Sequence, residues 1–199
     1  MQEHRQGSPV RPRRDLFPAL EPRRAGWLSV DPPHELYFED GGNPDGIPVL
    51  FVHGGPGAGT APVHRSFFNP EHYRILLLDQ RGCGRSTPAA TVAGNTTQAL
   101  IDDMEALREQ LGIERWLLFG GSWGSTLALA YGQAHPQRVL GFILRGIFLF
   151  REREVDWFLN GMGTLFPEAA RAFREYLPPA ERDRPLEGER VGMAMHVEA

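Results

Sequence analysis

From Trp27 onward the chain alternates short apolar runs with longer amphipathic stretches. Trp27 to Val30 and Leu36 to Glu39 are brief, and the turn-forming Asp31-Pro32-Pro33 and Gly41-Gly42-Asn43-Pro44-Asp45-Gly46 follow them. That pattern predicts an opening β-ribbon. Farther on the apolar runs stop alternating: Val49-Leu50-Phe51-Val52, Ile75-Leu76-Leu77-Leu78, Trp116-Leu117-Leu118-Phe119 and Val139 to Leu144. Unbroken runs of this length predict strands covered on both faces, hence a parallel sheet between helices. One helix is explicit: Thr96 or Thr97 can cap it, Leu100, Met104, Leu107 and Leu111 recur at helical spacing, and Gly112 can end it. A second, rich in small residues, is expected from Ser125 to about Ala134, stopped by Pro136. Beyond Phe150 the pattern turns charged and aromatic, predicting helices over Arg151 to Leu159 and Glu168 to Tyr176, with Gly161, Gly163 and Pro167 between them.

The expected architecture is therefore α/β, a mostly parallel sheet with helices on both faces. A basic, Pro-rich arm (residues 1–25) precedes the core (26–149), and the start of a helical lid with an atypical tail (150–199) follows it. The 199 residues suit one domain with a real core. No apolar run approaches the ~20 residues that span a bilayer, so no membrane association is expected. A net charge of −4 argues against nucleic acid, although six arginines between Arg5 and Arg24 make the arm locally basic. The lone Cys83 cannot form an internal disulfide, and the N-terminal stretch lacks the apolar core of a secretion signal; both predict a cytoplasmic protein. All 21 basic residues counted as Lys or Arg are arginine, so Schiff-base and P-loop lysine chemistry are excluded from this chain.

Three motifs change the picture. Gly120-Gly121-Ser122-Trp123-Gly124 joins the run Trp116 to Phe119 to the small-residue helix. A Gly-x-Ser-x-Gly turn between strand and helix presents an exposed serine oxygen, making Ser122 the candidate nucleophile. A hydroxyl attacks well only when a base takes its proton and N–H donors stabilise the resulting oxyanion. His53-Gly54-Gly55-Pro56-Gly57, directly after the run Val49 to Val52, is placed to supply one donor, at Gly55, and the residue after the nucleophile, Trp123, the other. The loop's glycines, Gly54 among them, let backbone close on a substrate. Asp79-Gln80-Arg81-Gly82-Cys83-Gly84-Arg85-Ser86 reads as a tight structural loop held by ion pairs, with Cys83 packed rather than reactive.

With these motifs in order, the sequence from about Gly26 to about Leu186 resembles the proline iminopeptidases (prolyl aminopeptidases), serine peptidases of the α/β-hydrolase fold. Arg145-Gly146-Ile147-Phe148 and Asp156-Trp157-Phe158 are further marks of the likeness. The resemblance implies release of N-terminal proline from peptides through an acyl-enzyme on Ser122, with no metal or organic cofactor. It also implies that Phe148 and Phe158 line the small apolar pocket for the pyrrolidine ring, and that Arg145 shapes that pocket beside the strand end. Plain core or lid packing is the other reading of the two phenylalanines. For the whole chain the alternatives are another esterase or amidase of the same fold, or a binding module that has lost catalysis.

In this fold the acid and the histidine of the triad come after the serine in the chain. After Ser122 the histidines are His135 and His196. His135 ends the serine's own helix, roughly 20 Å away at ~1.5 Å per residue, and His196 follows no strand pattern. Asp156 and Asp183 follow helical or Pro-rich segments. The expectation is a truncated or misread gene product that keeps the serine and its oxyanion donors, lacks the acid and the base, has little activity, and self-associates through an uncovered edge strand at Val139 to Leu144.

Overall fold

The computed structural model of the chain describes residues 15–55, 57–175 and 179–182. Residues 1–14 of the basic arm, Pro56, Asp183, His196 and the rest of the tail from 183 onward lie outside the described residues.

Six strands form one sheet in the order β1-β2-β4-β3-β5-β6. The ribbon is present and longer than its apolar residues suggest: β1 (Arg24–Ser29) pairs antiparallel with β2 (Glu35–Gly42). Strand β2 runs on through Glu39 and Asp40 because both buried carboxylates have partners. Arg74 and Arg23 each reach Asp40 at 2.8 Å, while Arg85 reaches Glu39 at 2.7 Å and Arg65 pairs with it as well. Buried charges persist only when paired in this way.

The parallel part is β4 (Tyr73–Leu78), β3 (Ile47–Val52), β5 (Trp116–Ser122) and β6 (Val139–Ile147), each parallel to its neighbour. Helix α1 (Thr97–Gln110) begins at Thr96, whose side chain accepts the Ala99 N–H at 3.1 Å, and Gly112 lies just past its end with φ +64°. Helix α2 (Trp123–Ala134) starts two residues earlier than Ser125, because the turn at Ser122 leads straight into it. Leu100, Met104 and Leu107 of α1 and Leu127, Ala128 and Tyr131 of α2 pack on Leu50, Val52, Leu76 and Leu118 in the main core. Val49, Phe51, Ile75 and Leu77 form the other face. A 3₁₀ helix (Pro62–Phe67) and the segment from Asp15 lie over it, tied by Phe17 N–H to Ser66 O (2.9 Å) and Arg65 Nε to Leu20 O (2.7 Å). Thus residues 15–23 of the expected arm are docked on the core.

Strand β6 runs three residues past the apolar stretch, and its outer edge pairs with no strand among the described residues. Leu140, Phe142, Ile143 and Ile147 are exposed along it. The lid segment is α3 (Glu152–Leu159), a 3₁₀ turn (Gly161–Thr164) and α4 (Pro167–Glu175), close to the expected helices.

Candidate active site

Ser122 ends β5 and precedes α2 with φ 55° and ψ −126°, a left-handed conformation that a side-chain-bearing residue adopts only at a cost of ~1–3 kcal/mol. Its neighbours impose it. A Cβ on Gly124 would lie 2.1 Å from Val52 O, and one on Gly120 would lie 2.3 Å from Gly124 O. Strand and helix therefore cross at backbone contact, and the residue between them is thrust outward. Ser122 is exposed and its side chain caps nothing. Ser125 Oγ bonds Ser122 O at 2.6 Å, fixing the first turn of α2 beneath it.

The loop after β3 meets this turn. A Cβ on Gly54 would stand 2.9 Å from Gly121 O and 3.3 Å from the Ser122 Cβ, so only glycine lets the loop lie against the nucleophile's own carbon. Gly55 comes next with φ +130°. Behind the loop, His53 is buried and both ring nitrogens are engaged: the Gln80 N–H donates to Nε2 at 3.0 Å, which leaves the proton on Nδ1 to be donated to Gly54 O at 2.7 Å. Burial pushes the His53 pKa below its ordinary value, in keeping with a neutral ring. The Gln80 side chain donates to His53 O at 2.9 Å and accepts from Trp123 Nε1 at 3.1 Å. Trp123, whose backbone N–H comes directly after the serine, is itself buried.

The loop from Asp79 is the structural clasp that its glycines and charges suggest. The fully buried Asp79 accepts from Thr60 N–H and hydroxyl (both 2.6 Å), Arg85 N–H (2.9 Å) and Arg85 Nε (3.0 Å). Burial pushes this carboxyl up, but the hydrogen bonds from Arg85 and Thr60 outweigh it and hold the pKa below the ordinary value. Cys83 is packed: it is buried, donates to Arg81 O at 3.2 Å, and burial raises its pKa.

At the end of β6, Gly121 pairs with Arg145 but Ser122 pairs with Ile147, so Gly146 is an extra residue, held at φ +51°. This bulge re-aims Ile147 and Phe148. The Phe148 backbone is pinned to the first turn of α2: its N–H donates to Ser125 Oγ (3.0 Å) and its carbonyl accepts from Thr126 Oγ1 (2.6 Å). Phe148 therefore stands beside the serine turn, its ring edge-on to Phe150 at 5.5 Å. Arg145 is exposed, with Cγ and Nη1 lying 3.3 and 3.4 Å from where a Gly121 Cβ would be, and it forms no ion pair among the described residues. Phe158 is placed differently. It lines a cavity of about 190 Å³ between α3 and α4 with Met162, Phe166, Ala170 and Phe173.

Ser122, Gly54, Gly55, Trp123, Arg145 and Phe148 thus gather at one end of β3, β5 and β6. The sequence reading missed Gln80, Ser125 and Thr126, whose polar side chains carry no periodic signal; only the position of Gln80 inside the Asp79 motif hinted at a role. His135 caps the far end of α2. Among the described residues no group of His, Cys, Asp and Glu is arranged to hold a metal ion, and no helix is long and apolar enough to cross a membrane.

A family model described as the alpha/beta hydrolase fold matches residues 47–198. The proline iminopeptidase of Arabidopsis thaliana is 55% identical over 175 residues, covering 87% of this chain and 46% of that protein. A probable proline iminopeptidase of Leptolyngbya boryana is 54% identical over 171 residues, covering 85% and 53%. The chain thus spans about half the length of the curated relatives it matches. Among solved structures, a proline iminopeptidase-related protein from Thermus thermophilus superposes with a TM-score of 0.61 at 27% identity, covering 85% of this chain and 64% of that one. The chain therefore belongs to the α/β-hydrolase fold family and, within it, is related in sequence to the proline iminopeptidases.

Proposed function

We propose that Ser122 is the nucleophile of a serine aminopeptidase that releases N-terminal proline from peptides through an acyl-enzyme. The observation that carries this is the exposed Ser122 at φ 55°, lying against Gly54 and leading directly into the N-terminus of α2. The hydroxyl oxygen attacks the carbonyl of the proline residue and gives up its proton; the Gly55 and Trp123 N–H groups receive the oxyanion; as the C–N bond breaks the leaving amine takes up a proton, and the prolyl ester that remains is hydrolysed by water. The N-terminus of α2 adds favourable partial charge where the oxyanion forms. Gly54 and Phe148 border the bound proline and Arg145 flanks them, while Phe158 lines the cavity between α3 and α4. The proline preference itself rests on the names of the relatives.

The proton acceptor is not among the described residues. His53 has both nitrogens engaged, and His135 is at the opposite end of a 12-residue helix. Without a triad histidine, turnover falls by on the order of 10⁶, while oxyanion donors and binding alone retain roughly 10³–10⁴ over water. The purified 199-residue chain is therefore expected to be labelled slowly but specifically at Ser122 by a phosphonate probe, with labelling absent in Ser122→Ala, and to cleave proline arylamide in preference to a simple aryl ester at a very low rate. Labelling that survives Ser122→Ala, or none at all, overturns the assignment. Tight binding of a prolyl ligand without labelling would favour a binding module instead.

A further inference from the structure

We propose that Gln80 is a positioning residue that aims both oxyanion donors of the Ser122 site. The inference rests on the reading of Ser122 as a nucleophile, but its geometry is independent of that chemistry. A trans peptide unit is planar, with its C=O and N–H pointing in opposite directions. Whatever orients the Gly54 carbonyl therefore orients the Gly55 N–H the opposite way. The Gly54 carbonyl is drawn inward by the Nδ1–H of His53 at 2.7 Å, so the Gly55 N–H faces away from the core.

That contact depends on His53 carrying its proton on Nδ1, and Gln80 dictates the tautomer. Its backbone N–H donates to Nε2 at 3.0 Å, so Nε2 can only accept. Its side-chain amide fixes the same histidine a second time through His53 O at 2.9 Å. The remaining oxygen accepts from the Trp123 indole at 3.1 Å, anchoring the residue that carries the second donor N–H. One buried glutamine thus ties the loop after β3, the loop after β4 and the start of α2 together. A filler of the same volume would keep the backbone bond to Nε2 but lose both side-chain ties, to His53 O and to the Trp123 indole. Asp79 and His64 are the titratable groups that act electrostatically on His53, of opposite sign in effect.

The test uses ¹H–¹⁵N spectra of the whole chain together with phosphonate labelling. In the wild type, His53 should show the Nδ1–H tautomer at neutral pH and titrate only below the ordinary imidazole value near 6.5; an Nε2–H tautomer, or titration at or above that value, overturns the proposal without any variant. Gln80→Met keeps the backbone donor and the volume but loses both side-chain bonds. It should shift the Gly55 amide, the Trp123 amide and the Trp123 indole. Gln80→Glu retains an oxygen for Trp123 but cannot donate to His53 O, so it should restore the indole signal and leave Gly55 displaced. Labelling of Ser122 in Gln80→Met should slow by about tenfold or more, short of the ~10²–10³ expected for outright loss of one oxyanion donor. Unmoved Gly55 and Trp123 amides in Gln80→Met sink the proposal. A wild-type chain that shows the expected spectra yet resists the phosphonate leaves the positioning intact and removes the nucleophile reading.

Discussion

The crossing of β5 and α2 over β3 makes Gly124→Ala the most informative single perturbation. The added methyl would stand 2.1 Å from Val52 O and 2.8 Å from His53 O, both backbone atoms, whereas ordinary contact begins at 3.4 Å. The strand cannot yield: β3 is hydrogen-bonded on one side to β4 and on the other to β5, with Val52 paired to Leu78 and Gly120. The helix must retreat instead, lifting Ser122 from Gly54. Forcing one methylene into a packed interior costs ~1–3 kcal/mol, and an unyielding backbone puts this site at about 3 kcal/mol. For a chain of this size each 1 kcal/mol lowers Tm by roughly 2–4 °C, so calorimetry should record a fall of about 6–12 °C. Gly112→Ala is the control. At φ +64° with nothing within 4 Å, it carries only left-handed strain, ~1–2 kcal/mol, and should fall less. A Gly124→Ala protein melting within about 2 °C of the wild type would refute the close-crossing argument.

Asp79→Asn tests the buried clasp. Because the folded pKa of Asp79 lies below its unfolded value, its ionised form stabilises the fold above that unfolded value, and the benefit is lost as pH falls through the folded one; the gap between wild type and variant in denaturant unfolding should narrow below about pH 4, and a gap constant with pH would contradict the assignment. Thr126→Val keeps the branched shape but loses the bond to Phe148 O, and should cost about 1 kcal/mol in the unfolding free energy; an unchanged midpoint would show that bond to be idle. The outer edge of β6, with Leu140, Phe142 and Ile143 exposed, should drive concentration-dependent association in sedimentation, weakened by Ile143→Lys; a monomer across the accessible concentration range would count against it.

Strands β3, β4 and β5 were legible in the sequence because residues buried on both faces leave an unbroken apolar run, and α1 because its cap, stripe and terminal glycine agree. Ser122 was legible because its flanking glycines mark a turn that nothing bulkier could make. The reach of β2 past Glu39 to Gly42 was not, since a second acid, Asp40, followed by two glycines reads as a strand end until its arginine partners, distant in sequence, come into place. The bulge at Gly146 was equally hidden, because a single glycine in a strand does not say which way the next side chain turns. Arg145 is exposed at the end of β6, and Phe158 faces the cavity between the lid helices, where helix packing rather than motif identity sets its surroundings. Gln80 was silent for a different reason: its three bonds join segments 27 and 43 residues apart in the chain.

The neutrality of the wiring behind Ser122 has a bearing on kinetics. An imidazole whose two nitrogens are occupied and whose pKa burial holds below the ordinary value, a carboxamide and an indole carry no charge near neutral pH, so the receptor for developing negative charge keeps one charge state there. An inflection in a rate profile near or above neutral pH then belongs to whatever accepts the serine's proton or to the substrate's amine. A proton acceptor supplied from outside, whether by buffer or by another polypeptide, would reveal its own ionisation against a flat background.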